Sequence, residues 1–301
     1  IIKSDEEIRE LEKAVDISVD MHLAAMHHAK PGMSEAEVMA KVYEVALSAG
    51  GNISFPIIAT INGETLHNHY HGNTLQEGNM FLLDAGAETS RSYAGDLSST
   101  FPVGPQFSEQ QKDIYRVALQ AHESALQALK PGKNFREVHL EAAKNIATGM
   151  KDLGFMKGSV DDAVEAGAHA LFFPCGLGHL LGMDAHDMEN LGEVHVGYQG
   201  SPKSKQFGLK SLRLARELKP GFVITIEPGV YFIPQLIDEW KSQKKHTEFI
   251  NYDKLEPFKS FGGIRNEEDV LITSDGYRIL GKPLAKTIEE VEKEREKAFQ
   301  R

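Results

Sequence analysis

The chain has 301 residues, of which 41% are hydrophobic and 26% charged, with a formal net charge of −11. That composition is ordinary for a folded globular protein and allows one large domain or two smaller ones. The acidic balance argues against a nucleic-acid or anionic-membrane surface. The single cysteine, Cys175, excludes an internal disulfide and fits a reducing, cytoplasmic compartment.

Residues 5–29 have apolar positions at helical spacing, with Ser4 and Glu7 placed as a capping box. Lys30-Pro31-Gly32 stops this helix, and Ser34 with Glu37 opens a second one to about Ser48. Extended segments are expected around 57–61, 80–83 and 98–103. The order then recurs. Ser108 and Gln111 open a helix to about Leu129, Lys130-Pro131-Gly132 ends it 100 positions after the first such triplet, and Glu137-Val138 echoes Glu37-Val38. Extended runs return at 222–233 and 269–280, and a polar helix from Thr287 to Gln300 closes the chain. Two halves sharing one sheet explain the recurrence; the plainer alternative is a common helix stop repeated by chance. Residues 186–211 and 234–262 read as loop-rich. No low-complexity linker interrupts 1–301, so one domain is expected. No apolar run reaches the ~18 residues of a membrane span. The first residue is Ile, no signal-peptide pattern follows it, and a cut N-terminus is expected.

Acids and histidines in apolar or glycine-rich settings carry the chemistry. Asp84 follows Phe81-Leu82-Leu83, and Asp96 lies 12 positions on in a Gly-Asp pair. GLGHLLGMDAHD carries His179 and His186, TIEPGVY carries Glu227, and GGIRNEED carries Glu267, Glu268 and Asp269. Singly, each has an ordinary explanation: an Asp beside a strand is usually a turn or cap residue, and a lone buried histidine usually a core one. Glu227 is harder to dismiss, because Ile224, Ile226 and Val230 imply burial, and a buried carboxylate needs a partner. Two Asp, one His and two Glu together make an oxygen-rich donor set with one nitrogen. That set suits Mn²⁺ or Co²⁺ and, less selectively, Zn²⁺, and does not suit a thiolate zinc site. Four carboxylates balance two divalent cations, between which a water would become a nucleophile.

Together and in order, DAG…GD, GLGHLLGMDAHD, TIEPGVY and GGIRNEED resemble the metallopeptidases of the pita-bread fold, over residues 5–285. The resemblance implies an α+β fold of the creatinase/aminopeptidase type: two pseudo-symmetric halves sharing a curved, mostly antiparallel sheet with helices outside. It implies that Asp84 binds one metal, that Asp96 and Glu267 bridge two, and that His179 and Glu227 bind the other. Glu227 also moves a proton. Strand alternation agrees on Glu267, which shares a face with Arg265 while Glu268 points away. His186 and His67 are implied as substrate and catalytic residues, with His69 and His71 as loop neighbours of His67. Arg265 is implied near the carboxylates.

GLKSLRLARELKPG and the 235–261 segment look like the Xaa-Pro dipeptidase branch, in which Arg213 captures the dipeptide's terminal carboxylate. The plain alternative for Arg213 is a basic residue on an exposed turn. The expectation is hydrolysis of the bond before proline in dipeptides, with two divalent ions, Mn²⁺ first and Co²⁺ or Zn²⁺ as alternatives. The partners are proline-containing peptides, not nucleic acid or membrane, and a homodimer is allowed. The rivals are an aminopeptidase acting on longer Xaa-Pro peptides, a non-catalytic binding module, and metal-free creatinase-like hydrolysis. Three departures stand out. Cys175 replaces the first His of the usual HGLGH, Asn266 replaces an apolar residue, and the Asp84–Asp96 spacing is one residue longer than usual. The family's upstream domain is expected to lie outside this chain.

Overall fold

Serine caps start the early helices where the sequence puts them. The computed structural model describes residues 1–300. Ser4 accepts the Glu7 N–H, and Glu7 accepts the Ser4 N–H, opening α1 (Asp5–His28). Ser34 and Glu37 do the same for α2 (Glu35–Ser48). Then come β1 (Asn52–Ile53), β2 (Ile58–Thr60), β3 (Met80–Ala85), β4 (Ala87–Glu88) and β5 (Leu97–Pro102). The second half opens with α3 (Glu109–Ala128), capped by Ser108 and Gln111, and α4 (Phe135–Asp152), capped by Asn134 alone. It continues through α5 (Val160–Ala166), α6 (Glu193–Val196), β6 (Val223–Ile226), β7 (Gly229–Tyr231), α7 (Pro234–Ser242), α8 (Tyr252–Leu255), β8 (Gly263–Arg265), β9 (Glu268–Ile272), β10 (Tyr277–Ile279) and α9 (Ile288–Phe299).

The duplication is visible in the backbone. Gly32 N–H donates to Leu75 O (2.8 Å) and Gly132 N–H to Leu218 O (2.9 Å). Leu75 N–H returns to Met33 O, and Leu218 N–H to Lys133 O. Both glycines sit at positive φ, +92° and +87°, which a side chain would strain. Equivalent helices also cover equivalent strands, with α1 on β3, β4 and β5, and α3 on β6, β7 and β8.

Every strand pair is antiparallel. The ladders run β2-β3-β5 in the first half and β10-β9-β6 in the second, with short pairs β1-β4 and β7-β8. The halves meet where β5 runs beside β8 and β9. There Glu267 N–H donates to Ser98 O (3.0 Å), Arg265 N–H donates to Thr100 Oγ1 (3.1 Å), and Thr100 Oγ1 donates to Arg265 O (3.0 Å). The apolar core is continuous across this seam.

One expectation needs correction. Residues 234–262 are not loop-rich: Pro234 at the first helical position starts α7, and Trp240 and Ile237 bury its inner face. The extended run at 269–280 forms the two strands of a hairpin, turned at Thr273–Gly276. The closing helix is polar by composition, yet its Arg295 is wholly buried.

Candidate active site

The two half-chain ladders bring their acids to one cleft of about 590 Å³. Asp84 lies near the end of β3, five of whose six residues are buried and only Asp84 partly exposed. A Cβ on Gly86 would collide with the Gly95 carbonyl, so the chain after Asp84 can approach the strand carrying Asp96 only because glycine stands there. The hairpin between them closes through Thr89 N–H to Tyr93 O (3.0 Å), with Ser92 in the left-handed region (φ 58°). Glu227 follows β6, and Glu267 stands between β8 and β9.

The nine residues to which the resemblance gives a metal, substrate or catalytic role line this cleft: His67, Asp84, Asp96, His179, His186, Arg213, Glu227, Arg265 and Glu267. Ligating atoms of Asp96, His179 and Glu267 lie within 4.8 Å of one another. His179 Nε2 is 3.4 Å from Asp96 Oδ2 and 3.5 Å from Glu227 Oε1. His179 Nδ1 lies 3.0 Å from the Leu180 carbonyl, which can only accept; the ring proton therefore belongs on Nδ1 and Nε2 is left for the cluster. Arg265 braces the set. Its guanidinium donates to Asp84 Oδ2 (2.5 Å), Tyr231 Oη (3.0 Å) and Ser98 Oγ (2.9 Å), and Ser98 Oγ donates to Glu267 Oε2 (2.7 Å).

The electrostatics call for cations. Burial pushes Glu227 up to about 7, raises Asp96, and holds Glu267 well above the usual carboxylate range. Burial alone would lower His179, but the hydrogen bond to Asp96 and the fields of Glu227 and Asp96 lift it to about 9. Asp84 Oδ1 and Glu267 Oε1 are buried without a hydrogen-bond partner among the described residues. Buried acceptors of this kind are costly unless bound. Orphaned carboxylate oxygens and a free imidazole nitrogen, meeting from several directions, fit a site for divalent cations, whose binding would displace the shared protons.

Other residues sort themselves by position. His186 stands edge-on to His179, with ring centroids 4.4 Å apart, and burial lowers it to about 3. His67 is half-buried and also lowered, first by burial and then by Arg265. His69 lines the cleft as well, whereas His71 turns to the Ala59 carbonyl. Cys175 lines the cleft with its thiol pushed up to about 12 by burial, which makes it a poor nucleophile. Glu268 points away from the cleft, paired with Lys286 and 3.7 Å from His122. Asn266 is buried and accepts from Tyr115 Oη (3.1 Å), which accounts for a polar residue there.

Sequence reasoning missed two contributors and left a third without a role. Asp269, named in the sequence as one of the strand acids, is fully buried and accepts the Asp96 N–H (2.9 Å). Tyr231 and Ser98 hold Arg265, and nothing local marks them.

The sequence profile of Metallopeptidase family M24 matches residues 9–274. The Xaa-Pro dipeptidase of Homo sapiens is 36% identical, over 97% of this chain and 59% of that protein. The probable Xaa-Pro aminopeptidase of Aspergillus niger is 34% identical, over 97% of this chain and 62% of that protein. Among solved structures, zinc-substituted Escherichia coli aminopeptidase P in complex with product superposes with a TM-score of 0.82 at 32% identity, covering all of this chain and 60% of that one. The chain thus spans about three fifths of the length of the curated relatives it matches.

Proposed function

The chain belongs to metallopeptidase family M24, and on that premise we propose that it hydrolyses the peptide bond preceding proline, with a preference for Xaa-Pro dipeptides. The observation that carries this reading is the meeting of Asp96, His179 and Glu267 ligand atoms within 4.8 Å, beside Glu227 and Asp84, in one cleft. The names of the relatives on both the dipeptidase and the aminopeptidase side support the proline specificity. Residues 1–301 act as one catalytic domain, a reading that the core continuous across both halves supports.

Asp84, Asp96, His179, Glu227 and Glu267 would hold two divalent ions. The oxygen-rich set supports Mn²⁺ first, with Co²⁺ or Zn²⁺ as alternatives. Such ions, when bound, polarise a carbonyl and make a water acidic enough to attack it. Glu227, at the cluster, takes the proton of the attacking water and returns it to the proline nitrogen as the bond breaks. His186, neutral over the working range, donates a hydrogen bond to the oxyanion, and His67 lines the substrate side. Arg265, its donors engaged by Asp84, Ser98 and Tyr231, holds the ligands in place. Arg213 sets length by pairing with the terminal carboxylate. A single, unpaired cysteine supports a cytoplasmic setting.

A second reading, cleavage of longer Xaa-Pro peptides, is favoured by one observation: Arg213 is already engaged by Glu189 (2.6 Å). Protein loaded with Mn²⁺ or Co²⁺ should release proline from Ala-Pro and cut Ala-Pro-Ala more slowly, and chelation should abolish both. Protein that carries two ions per chain and cuts neither peptide would overturn the proposal.

A further inference from the structure

The cleft mouth is built from the segment after His186, and its charges come in pairs. Arg213 Nη1 donates to Glu189 Oε2 at 2.6 Å, and Lys203 is paired with Glu193. Arg213, Lys203 and Glu193 line the cleft; Glu189 does not, and its side chain is only 15% exposed. Glu189 therefore reaches the guanidinium from outside the cleft wall. The arrangement is pinned. Arg216 donates to Val196 O (2.8 Å), Tyr198 Oη donates to Leu212 O (2.5 Å), and Ala215 N–H donates to Gly197 O (2.9 Å), tying 196–198 to 212–216. Nε and Nη2 of Arg213 make no hydrogen bond among the described residues, so one edge of the fork stays open to the cleft.

A fixed carboxylate on one edge of a guanidinium has two opposite consequences. It orients the open edge, which favours capture of a second carboxylate there. It also places a like charge across the same small group, which disfavours that capture. The pair is only partly exposed, Arg213 being 36% accessible, so solvent screens the repulsion incompletely.

Resting on the function proposed above, we propose that Glu189 is the specificity-determining residue for peptide length: its carboxylate neutralises Arg213, weakens capture of a free terminal carboxylate, and lets the cleft accept peptides that continue past proline. Glu189→Gln removes this charge while the amide oxygen still accepts from Arg213 and keeps the fork oriented; the same oxygen lies 3.9 Å from His186 Nδ1, a contact shared by both peptides, so the ratio between peptides and not the rate is the readout.

Two readouts test it on metal-loaded protein. The ratio of kcat/KM for Ala-Pro to that for Ala-Pro-Ala should rise roughly fivefold in E189Q, mainly through KM for the dipeptide. Calorimetric binding of the uncleaved probes L-proline and prolinamide should show proline tightened by about the same factor and prolinamide much less. The proposal is overturned if the ratio falls or stays within about twofold, if both probes shift equally, or if proline binds neither protein. A wild-type protein that binds proline in this charge-dependent way but cleaves no peptide would sink the proposed activity and leave the role of Glu189 standing.

Discussion

At the scale of single residues, Glu267 is the acid on which both halves converge. Its Oε2 accepts from Ser98 in the first half, its own N–H donates to Ser98 O, and its Oε1 is buried and free. Glu267→Gln keeps the volume and the Ser98 contact but removes a charge from the ligand set. The expected outcome is metal content falling from about two ions per chain to one or fewer, with kcat lower by at least about a hundredfold. Metal analysis beside a steady-state assay checks it; unchanged stoichiometry would remove Glu267 from the set. This acid was legible in the sequence because alternation from Arg265 separates it from Glu268. The role of Asp269 behind Asp96 was not, since its partner lies 173 positions away.

At the scale of elements, the helices do more than cover the sheet. His22 on α1 and His122 on α3 stand 100 positions apart and are both fully buried. His22 lies 2.6 Å from Ser99 Oγ and 3.0 Å from Ala85 O, next to Asp84; His122 lies beside Glu268, next to Glu267. The duplication thus sets a histidine behind an acid-bearing strand in each half. The last helix, α9, is locked by one side chain. Arg295 donates to Pro102 O (2.7 Å), Ala29 O (2.8 Å) and Val103 O (2.5 Å), and to Met26 O, joining α9 to the end of α1 and the end of β5. Arg295→Met fills similar volume but leaves several buried carbonyls unpaired, each costing about 1–3 kcal/mol. The variant should lose at least about 3 kcal/mol in urea unfolding, and a loss under 1 kcal/mol would mean that water replaces the guanidinium. The capping of α9 by Thr287 and Glu290 was readable locally. Helical spacing puts Arg295 on the face of Ile288, Val291 and Ala298, but its burial as a charged group was not readable, because the carbonyls it meets belong to the ends of α1 and β5.

At the scale of the whole molecule, buried histidines set the acid limit of stability. His22 and His169 are lowered to about 4 and His122 and His139 to about 3, in each case first by burial. Their unfolded value is 6.5, so between these limits the unfolded chain binds more protons and stability rises with pH. The contribution is complete above about pH 6.5 and is lost as pH falls toward 4. His139 stacks on Phe173 at 5.1 Å, and neither ring nitrogen has a partner among the described residues. Unfolding of the metal-saturated protein at pH 7.5 and 5.5 should show a loss of roughly 1 kcal/mol per buried histidine, and His139→Leu should recover about one such share. An identical pH dependence in wild type and variant would contradict it.

The sequence by itself determined what depends on near neighbours: capping boxes at Ser4, Ser34 and Ser108, the paired Lys-Pro-Gly stops, the strand character of the acid-bearing runs, and motifs enough to name the candidate metal ligands. These are set by contacts three or four residues apart and by period-two alternation, which a linear reading contains. Only the tertiary structure decided that Arg265 serves Asp84 across 181 positions, that Glu189 already holds Arg213, that Arg295 is interior, and that Tyr231, Ser98 and Asp269 stand behind the ligands. Those pairings arise where β5 meets β8 and β9. Which side chains face one another there depends on how two separately folded halves dock, and no local propensity encodes that.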